Sequence, residues 1–347
     1  METKVWLVDK FVDELITYPQ VQEAAGFLQK NEVVAFPTET VYGLGGNAQS
    51  DKAVERIFKA KGRPSDNPLI IHIADSQQLG KFVSEIPEKA AILIEKFWPG
   101  PLTIIFNKKE GVLSDLATAG LSTVAVRMPD HPLALAVIKA AGLPIAAPSA
   151  NLSGRPSPTT ARHVQDDLFG RISGILDGGP TGVGVESTVI DCTENIPVIL
   201  RPGGVTAEQL QEVLGEVRFD PALTDSAQAP KSPGMKYRHY APDAPFYLVD
   251  AGKPFIQELI LQKQAEGLTV GVLTTEEAKD FYKADIVYSC GHRNRLETVA
   301  EALYDTLRAF NNTNADIIFG EVFPEKGVGT AVMNRLKKAS GHNIITE

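Results

Sequence analysis

The chain has 347 residues, which favours two domains, and its hydrophobic fraction of 43% is enough for ordinary cores. A formal net charge of −9 argues against a general binder of nucleic acid. Two cysteines, Cys192 and Cys290, leave no room for a disulfide framework, a zinc spacing or a CxxC motif, and point to a reducing interior.

The start, METKVWLVDK, is charged and strand-like, without a signal-peptide core, and no apolar run is long enough for a bilayer. The expectation is a cytoplasmic protein. Val5–Val8 predicts a strand, and Pro19–Lys30 a helix with Val21, Ala24, Ala25 and Leu28 on one face. Val33–Phe36 predicts a buried strand running into PTETVYGLGGNA. Here Gly43, Gly45 and Gly46 predict a sharply bent loop lined by Thr38, Glu39, Thr40 and Tyr42. The loop contains GxGxxA, but its first glycine lies seven residues past the strand end, and a dinucleotide fingerprint needs that turn tight.

Asp51–Ala60 predicts a helix that delivers Lys59, Lys61 and Arg63 to a junction where Pro64 and Pro68 bar its continuation. Lys61 and Arg63 on a stiff loop, with Asn67 beside them, suit a polyanion clamp: arginine gives planar two-point contact and lysine a point charge. The plain alternative is a solvated charge run. His72, on the strand Leu69–Ile73, falls on the opposite face from Ile71 and Ile73. It is either a core histidine bonded to backbone or a ligand contact.

Helices are predicted at Gln77–Val83 and Pro87–Phe97, then a strand at Leu102–Phe106. Ser122–Arg127 predicts a strand with Thr123, Ala125 and Arg127 on one face, and a cation at a strand's end lies where open α/β sheets place ligands. From Leu116 to Gln165 there are four cations and one acid, a local basic surface suited to a small anion. A helix at Leu133–Ala141 and a strand at Leu143–Ala147 lead into PSANLSGRPSPTT. That loop carries Ser149, Asn151, Ser153 and Ser157, and its amides and hydroxyls could cradle phosphate oxygens; the alternative is a plain polar turn. Neither a P-loop nor a GxSxG elbow is present. Strands at Gly174–Asp177, Ser187–Asp191 and Pro197–Arg201 precede a helix, Thr206–Leu214, with a capping box of Thr206 and Gln209.

Pro221, Pro230, Pro233, Pro242 and Pro245 mark a linker, in which KSPGMKYRHYAP interleaves cations with Tyr237 and Tyr240, as for an anionic, stacking ligand. The rest alternates strands (Phe246–Val249, Leu268–Leu273, Asp285–Ser289, Ala315–Phe319) with helices, the pattern of a small parallel, doubly wound domain. It carries no cluster that reads as chemistry. Three units are therefore expected: 1–214, a catalytic domain; 215–245, a linker folding over the active site; and 246–347, a Rossmann-like domain.

PTETVYGLG, KAKGRPSDNPL, STVAVRMP, PSANLSGRPSPT and SPGMKYRHYAP, in this order, resemble the two-domain form of the YrdC-like family along nearly the whole chain. The resemblance implies a twisted mixed sheet flanked by helices with a basic cavity, followed by the smaller parallel domain. It implies a nucleotidyltransferase that makes L-threonylcarbamoyl-AMP and pyrophosphate from L-threonine, bicarbonate and ATP with Mg²⁺. The product is handed to the machinery that modifies the adenosine beside the tRNA anticodon, and this chain need not bind tRNA itself. By resemblance, Lys61, Arg63 and Asn67 hold the triphosphate, and Lys61 and Arg63 are the catalytic pair. Thr123, Ser149, Asn151, Ser157, Arg201, His239 and Tyr240 are further ATP contacts. Arg127 and Ser187 take the threonine carboxylate, while Thr40 and His72 bond its hydroxyl, a contact that would reject analogues lacking it. The readings that compete with it are an RNA-binding module and ATP-dependent carbamoyl transfer to another acceptor.

Overall fold

The computed structural model describes residues 2–9, 14–223 and 240–347, and the chain divides into two compact units. The first holds residues 1–153, 157–182 and 186–236; the second holds 237–347 together with the loop tips 154–156 and 183–185.

In chain order the first unit runs β1 (Lys4–Leu7), α1 (Pro19–Gln29), β2 (Val34–Phe36), β3 (Gly43–Asn47), α2 (Asp51–Lys61), β4 (Ile70–His72), α3 (Leu79–Phe82), α4 (Glu88–Phe97) and β5 (Leu102–Asn107). It continues with α5 (Asp115–Thr118), β6 (Thr123–Arg127), α6 (Pro132–Ala141), β7 (Ile145–Ala146), α7 (Ala161–Leu168), β8 (Gly174–Asp177), β9 (Thr188–Asp191), β10 (Val198–Arg201), α8 (Ala207–Leu214) and β11 (Arg218–Phe219). The strands join in one mixed sheet, ordered β1-β8-β2-β3-β7-β4-β6-β5-β9-β10-β11.

The two faces of this sheet follow from the period of two along each strand. Ala35, Ile71, Val124 and Val126 point into a core built with α2, α4, α7 and α8, through residues such as Val54, Ile57, Leu93, Val164 and Leu210. On the other face, Val34, Phe36 and Ile145 pack against α1 and α6. Further along that face the apolar cluster is small and made of strand residues alone: Ile70, Ile105, Ala125, Val189 and Leu200. His72, Arg127 and Thr103 alternate onto this same stretch, which is where the site lies.

Two expectations change here. The glycine-rich stretch is not a bent loop but the strand β3, antiparallel to β2. Its glycines are there for clearance: a Cβ on Gly45 would lie 2.6 Å from the Phe36 ring and 2.9 Å from Ile145. The linker begins later than 215, because Arg218–Phe219 adds to the sheet parallel to β10. Caps fix several helices as read. Ser50 caps α2, and the Thr206–Gln209 box at α8 is complete in both directions.

The second unit holds β12 (Phe246–Asp250), α9 (Lys253–Ala265), β13 (Val270–Thr274), β14 (Ile286–Ser289), α10 (Leu296–Ala309), β15 (Ile317–Glu321), α11 (Gly329–Ala339) and β16 (Ile344–Thr346). The sheet is parallel throughout, in the order β14-β13-β15-β12-β16. The strand β16 is too short and exposed to stand out in the sequence. A polar cluster does exist at the strand ends. Glu321 accepts from Thr274 Oγ1 at 2.6 Å and Tyr282 OH at 2.9 Å, and pairs with Arg293 at 2.8 Å. These groups satisfy one another, which is a structural arrangement.

Candidate active site

Among the described residues of the first unit three Lys or Arg side chains are buried, and all three are residues that the sequence singles out: Lys61 at 3% exposure, Arg127 at 4% and Arg201 at 4%. Buried cations need oxygen partners, and the fold supplies them. Lys61 ends α2, and its ammonium donates to the carbonyls of Ser149 at 2.5 Å and Asn151 at 2.7 Å, and to Asn151 Oδ1 at 3.3 Å. Ser149 Oγ donates to the same Asn151 oxygen at 2.5 Å. The expected clamp residue and the expected cradle loop are thus one assembly, with the lysine charge fixed beneath the loop. Arg63 follows the left-handed C-cap Gly62 (φ 61°) and is half-buried. Asn67 is buried, and its Nδ2 has no hydrogen-bond partner among the described residues. A buried amide donor left open is a place for a ligand oxygen.

Arg127 ends β6 in register with His72 on β4 and Thr103 on β5. Its Nε donates to Gly100 O at 3.2 Å and its Nη1 to Thr40 Oγ1 at 2.9 Å. Nη2 lies 2.7 Å from Glu39 Oε1, a close ion pair without hydrogen-bond alignment. The Thr40 hydroxyl is 2.8 Å from that of Thr38. His72 Nδ1 lies 3.2 Å from Ile70 O, and the ring meets Phe36 edge-on. Burial first, and then the Arg127 charge, push the His72 pKa down to about 3, so the imidazole is neutral. The backbone of both Ile70 and Ile145 bonds the ring, and a neutral imidazole keeps one nitrogen as an acceptor. Asp130, after the same strand, has its carboxyl raised above the usual range, by burial first and then by the Glu39 charge.

Thr103 and Ser187 hydroxyls are 2.7 Å apart. Arg201 reaches Ser187 from the other side, with Nη2 2.9 Å from its carbonyl and 3.2 Å from its hydroxyl. The β9–β10 register slips between Ile199 and Arg201, an irregularity that re-aims the arginine. Ser157 is fully buried and donates to Glu186 Oε1 at 2.6 Å. Thr123 stands half-exposed at the start of β6.

Some expected residues are placed elsewhere. Tyr42 does not line a ligand space: it is buried in the core, and its hydroxyl donates to Gly179 O at 2.7 Å. Tyr240 belongs to the second unit, where it is buried at a φ of 67°, stacked on Tyr304 at 5.1 Å, with Arg335 over its ring. His239, together with Tyr237 and the linker's cations, lies outside the described residues. Thr38 and Glu39 are expected as lining residues and meet Thr40 and Arg127, whereas Thr103 and Glu186 are not singled out by the sequence. Only sheet order brings them to the site, although Glu186 could have been suspected from its place beside Ser187.

Residues 26–203 match the family model described as telomere recombination, the YciO and YrdC group, and residues 205–341 match the threonylcarbamoyl-AMP synthase C-terminal domain. A threonylcarbamoyl-AMP synthase of Bacillus subtilis is 59% identical over 346 residues, 99% of this chain and 100% of its own length. The chain belongs to the threonylcarbamoyl-AMP synthase family. Threonylcarbamoyl-AMP synthases are enzymes, and this chain is one of them. A Pyrococcus abyssi family member whose structure is complexed with L-threonine superposes at TM-score 0.92 and 50% identity, covering 99% of this chain and 100% of that one. Escherichia coli YciO, at 25% identity and TM-score 0.52, covers 58% of this chain and 96% of its own. Among the described residues of this synthase, no helix is long and apolar enough to cross a membrane.

Proposed function

We propose that the site joins L-threonine, bicarbonate and ATP into L-threonylcarbamoyl-AMP and pyrophosphate. The observation that carries this reading is the buried Arg127 with the Thr40 hydroxyl at 2.9 Å and the neutral His72 beside it in register. A guanidinium next to a hydroxyl and an imidazole acceptor matches the carboxylate and side-chain hydroxyl of a β-hydroxy amino acid.

In this reading Arg127 and Ser187 bind the threonine carboxylate, and Thr40 and His72 its hydroxyl. Lys61, Arg63 and Asn67 neutralise and orient the triphosphate, with Lys61 and Arg63 as the catalytic pair. Thr123, Ser149, Asn151, Ser157 and Arg201 make the remaining nucleotide contacts. Mg²⁺ would be held mainly by the ATP phosphates and water and would offset the phosphate charge. The threonine amine and bicarbonate form a carbamate whose oxygen attacks the α-phosphorus, and pyrophosphate leaves. Catalysis is by positioning and by charge placed where charge develops. The product passes, in the cytoplasm, to the proteins that transfer the threonylcarbamoyl group to tRNA; contact between this chain and tRNA is not required.

The test is pyrophosphate release from ATP, Mg²⁺ and bicarbonate, with L-threonine, L-serine, L-valine or no amino acid. Release that needs threonine and bicarbonate and collapses with valine is expected. Release indifferent to the amino acid would point to another acceptor and overturn the assignment.

A further inference from the structure

Every nitrogen of Arg127 already faces an oxygen, at Gly100, Thr40 and Glu39. A guanidinium has five N–H donors, so these contacts leave some open, but a carboxylate seated on the Nη2 side competes with Glu39 for the same positive charge. Gly100 contributes backbone, and the Thr40 hydroxyl is held by Thr38 at 2.8 Å. Glu39 is different. Both of its carboxylate oxygens are buried, neither accepts a hydrogen bond among the described residues, and its contact with Nη2 is close but misaligned. A buried carboxylate without donors is held at a cost and is the partner most readily exchanged. Glu39 therefore occupies the position of an incoming carboxylate.

An α-amino acid brings its own replacement partner. Its ammonium and carboxylate share one carbon, so a carboxylate seated on Arg127 carries the ammonium to whatever flanks Arg127. Glu39 is the acid paired with that arginine. We propose that Glu39 exchanges Arg127 for the α-ammonium of L-threonine and is the first acceptor of its proton. This inference rests on the threonine site proposed above.

The step balances. The Glu39 carboxylate takes one proton from the ammonium, leaving a neutral amine and a carboxylic acid. The nitrogen lone pair forms the C–N bond to the bicarbonate carbon. The C–OH bond breaks, and the hydroxyl leaves as water with a second proton from nitrogen. A carbamate anion remains with one hydrogen on nitrogen, and the proton on Glu39 returns to solvent.

The exchange predicts effects of opposite sign. Binding of L-threonine and of (R)-3-hydroxybutanoate, which keeps the carboxylate and hydroxyl but lacks the amine, is measured by calorimetry on the full chain. Wild type should bind threonine and scarcely bind hydroxybutanoate, whose carboxylate would expel Glu39 and offer it nothing. Glu39→Gln should bind threonine about tenfold to a hundredfold more weakly and hydroxybutanoate more tightly, since Arg127 is then free of a rival anion. Its kcat for threonine-dependent pyrophosphate release should fall at least about 100-fold. Glu39→Asp, which keeps the charge, should preserve the wild-type order of the two ligands. If both ligands weaken together, Glu39 is merely structural and the inference fails. It fails equally if neither changes, and an unaltered kcat in Glu39→Gln removes the proton-accepting role. A wild type that binds no threonine would overturn the threonine site itself, a different result from a wild type that binds threonine without the inversion.

Discussion

Lys61 spends its charge on the backbone of the loop it serves. Three oxygens from Ser149 and Asn151 surround the ammonium, so the cation both shapes the loop and sets the potential there. Replacing Lys61 or Arg63 with Ala should lower ATP turnover by about 100-fold or more, the scale of losing one preorganised charge contact; pyrophosphate release measured near wild-type rates in both variants would remove the clamp. The neutral His72 makes a separate prediction about stability. Its folded pKa of about 3 lies below the ordinary histidine value. The unfolded chain therefore binds a proton that the folded chain refuses. The stability contributed by the neutral ring is complete above about pH 6.5 and is lost as pH falls below it, with a slope of at most about 1.4 kcal/mol per pH unit. Urea unfolding at pH 7 and pH 5 should show a smaller loss on acidification in His72→Gln than in wild type; equal losses would mean that the ring charges in place.

At the scale of elements, β3 is the informative one. Gly45 has no room for a methyl group between Phe36 and Ile145. Gly45→Ala should cost about 1–3 kcal/mol, the usual range for overpacking, and Gly45→Ala with Phe36→Leu should recover part of it in denaturant unfolding. No recovery would place the clash in the backbone instead. The same strand marks where sequence reading stops. Glycine ordinarily signals a bend, and the need for clearance against an aromatic ring on the adjacent strand is a tertiary fact. Caps and apolar periods are local, so α2, α8 and most strands were legible within a residue or two. The short α5, β11 and β16 were not, because they are held by neighbours and not by pattern. In the site, the strand-end cations and the hydroxyl loops could be read as candidates from residue type and position. Their pairing could not: Thr103 meets Ser187 because the sheet places β5 beside β9, and Glu39 meets Arg127 only through the fold of the segment between β2 and β3.

At the scale of the molecule, two units with separate sheets and separate apolar clusters make a single unfolding transition unsafe to assume. Leu303 on α10 is fully buried in the second unit. Leu303→Ala should cost that unit about 2–5 kcal/mol, and calorimetry should show one component of the endotherm shifting while the other stays. A rigid shift of the whole trace would show that the units unfold together. Net charge speaks at this scale too. The first unit of this acidic chain buries cations of which the bulk charge gives no hint. The two thiols, finally, have a practical consequence. Cys192 and Cys290 are both buried, and burial pushes each up to about 12. Towards maleimide at neutral pH the folded chain behaves as a cysteine-free protein. Glu95→Cys and Glu258→Cys, at exposed positions on α4 and α9, would then take label while neither native cysteine needs replacing.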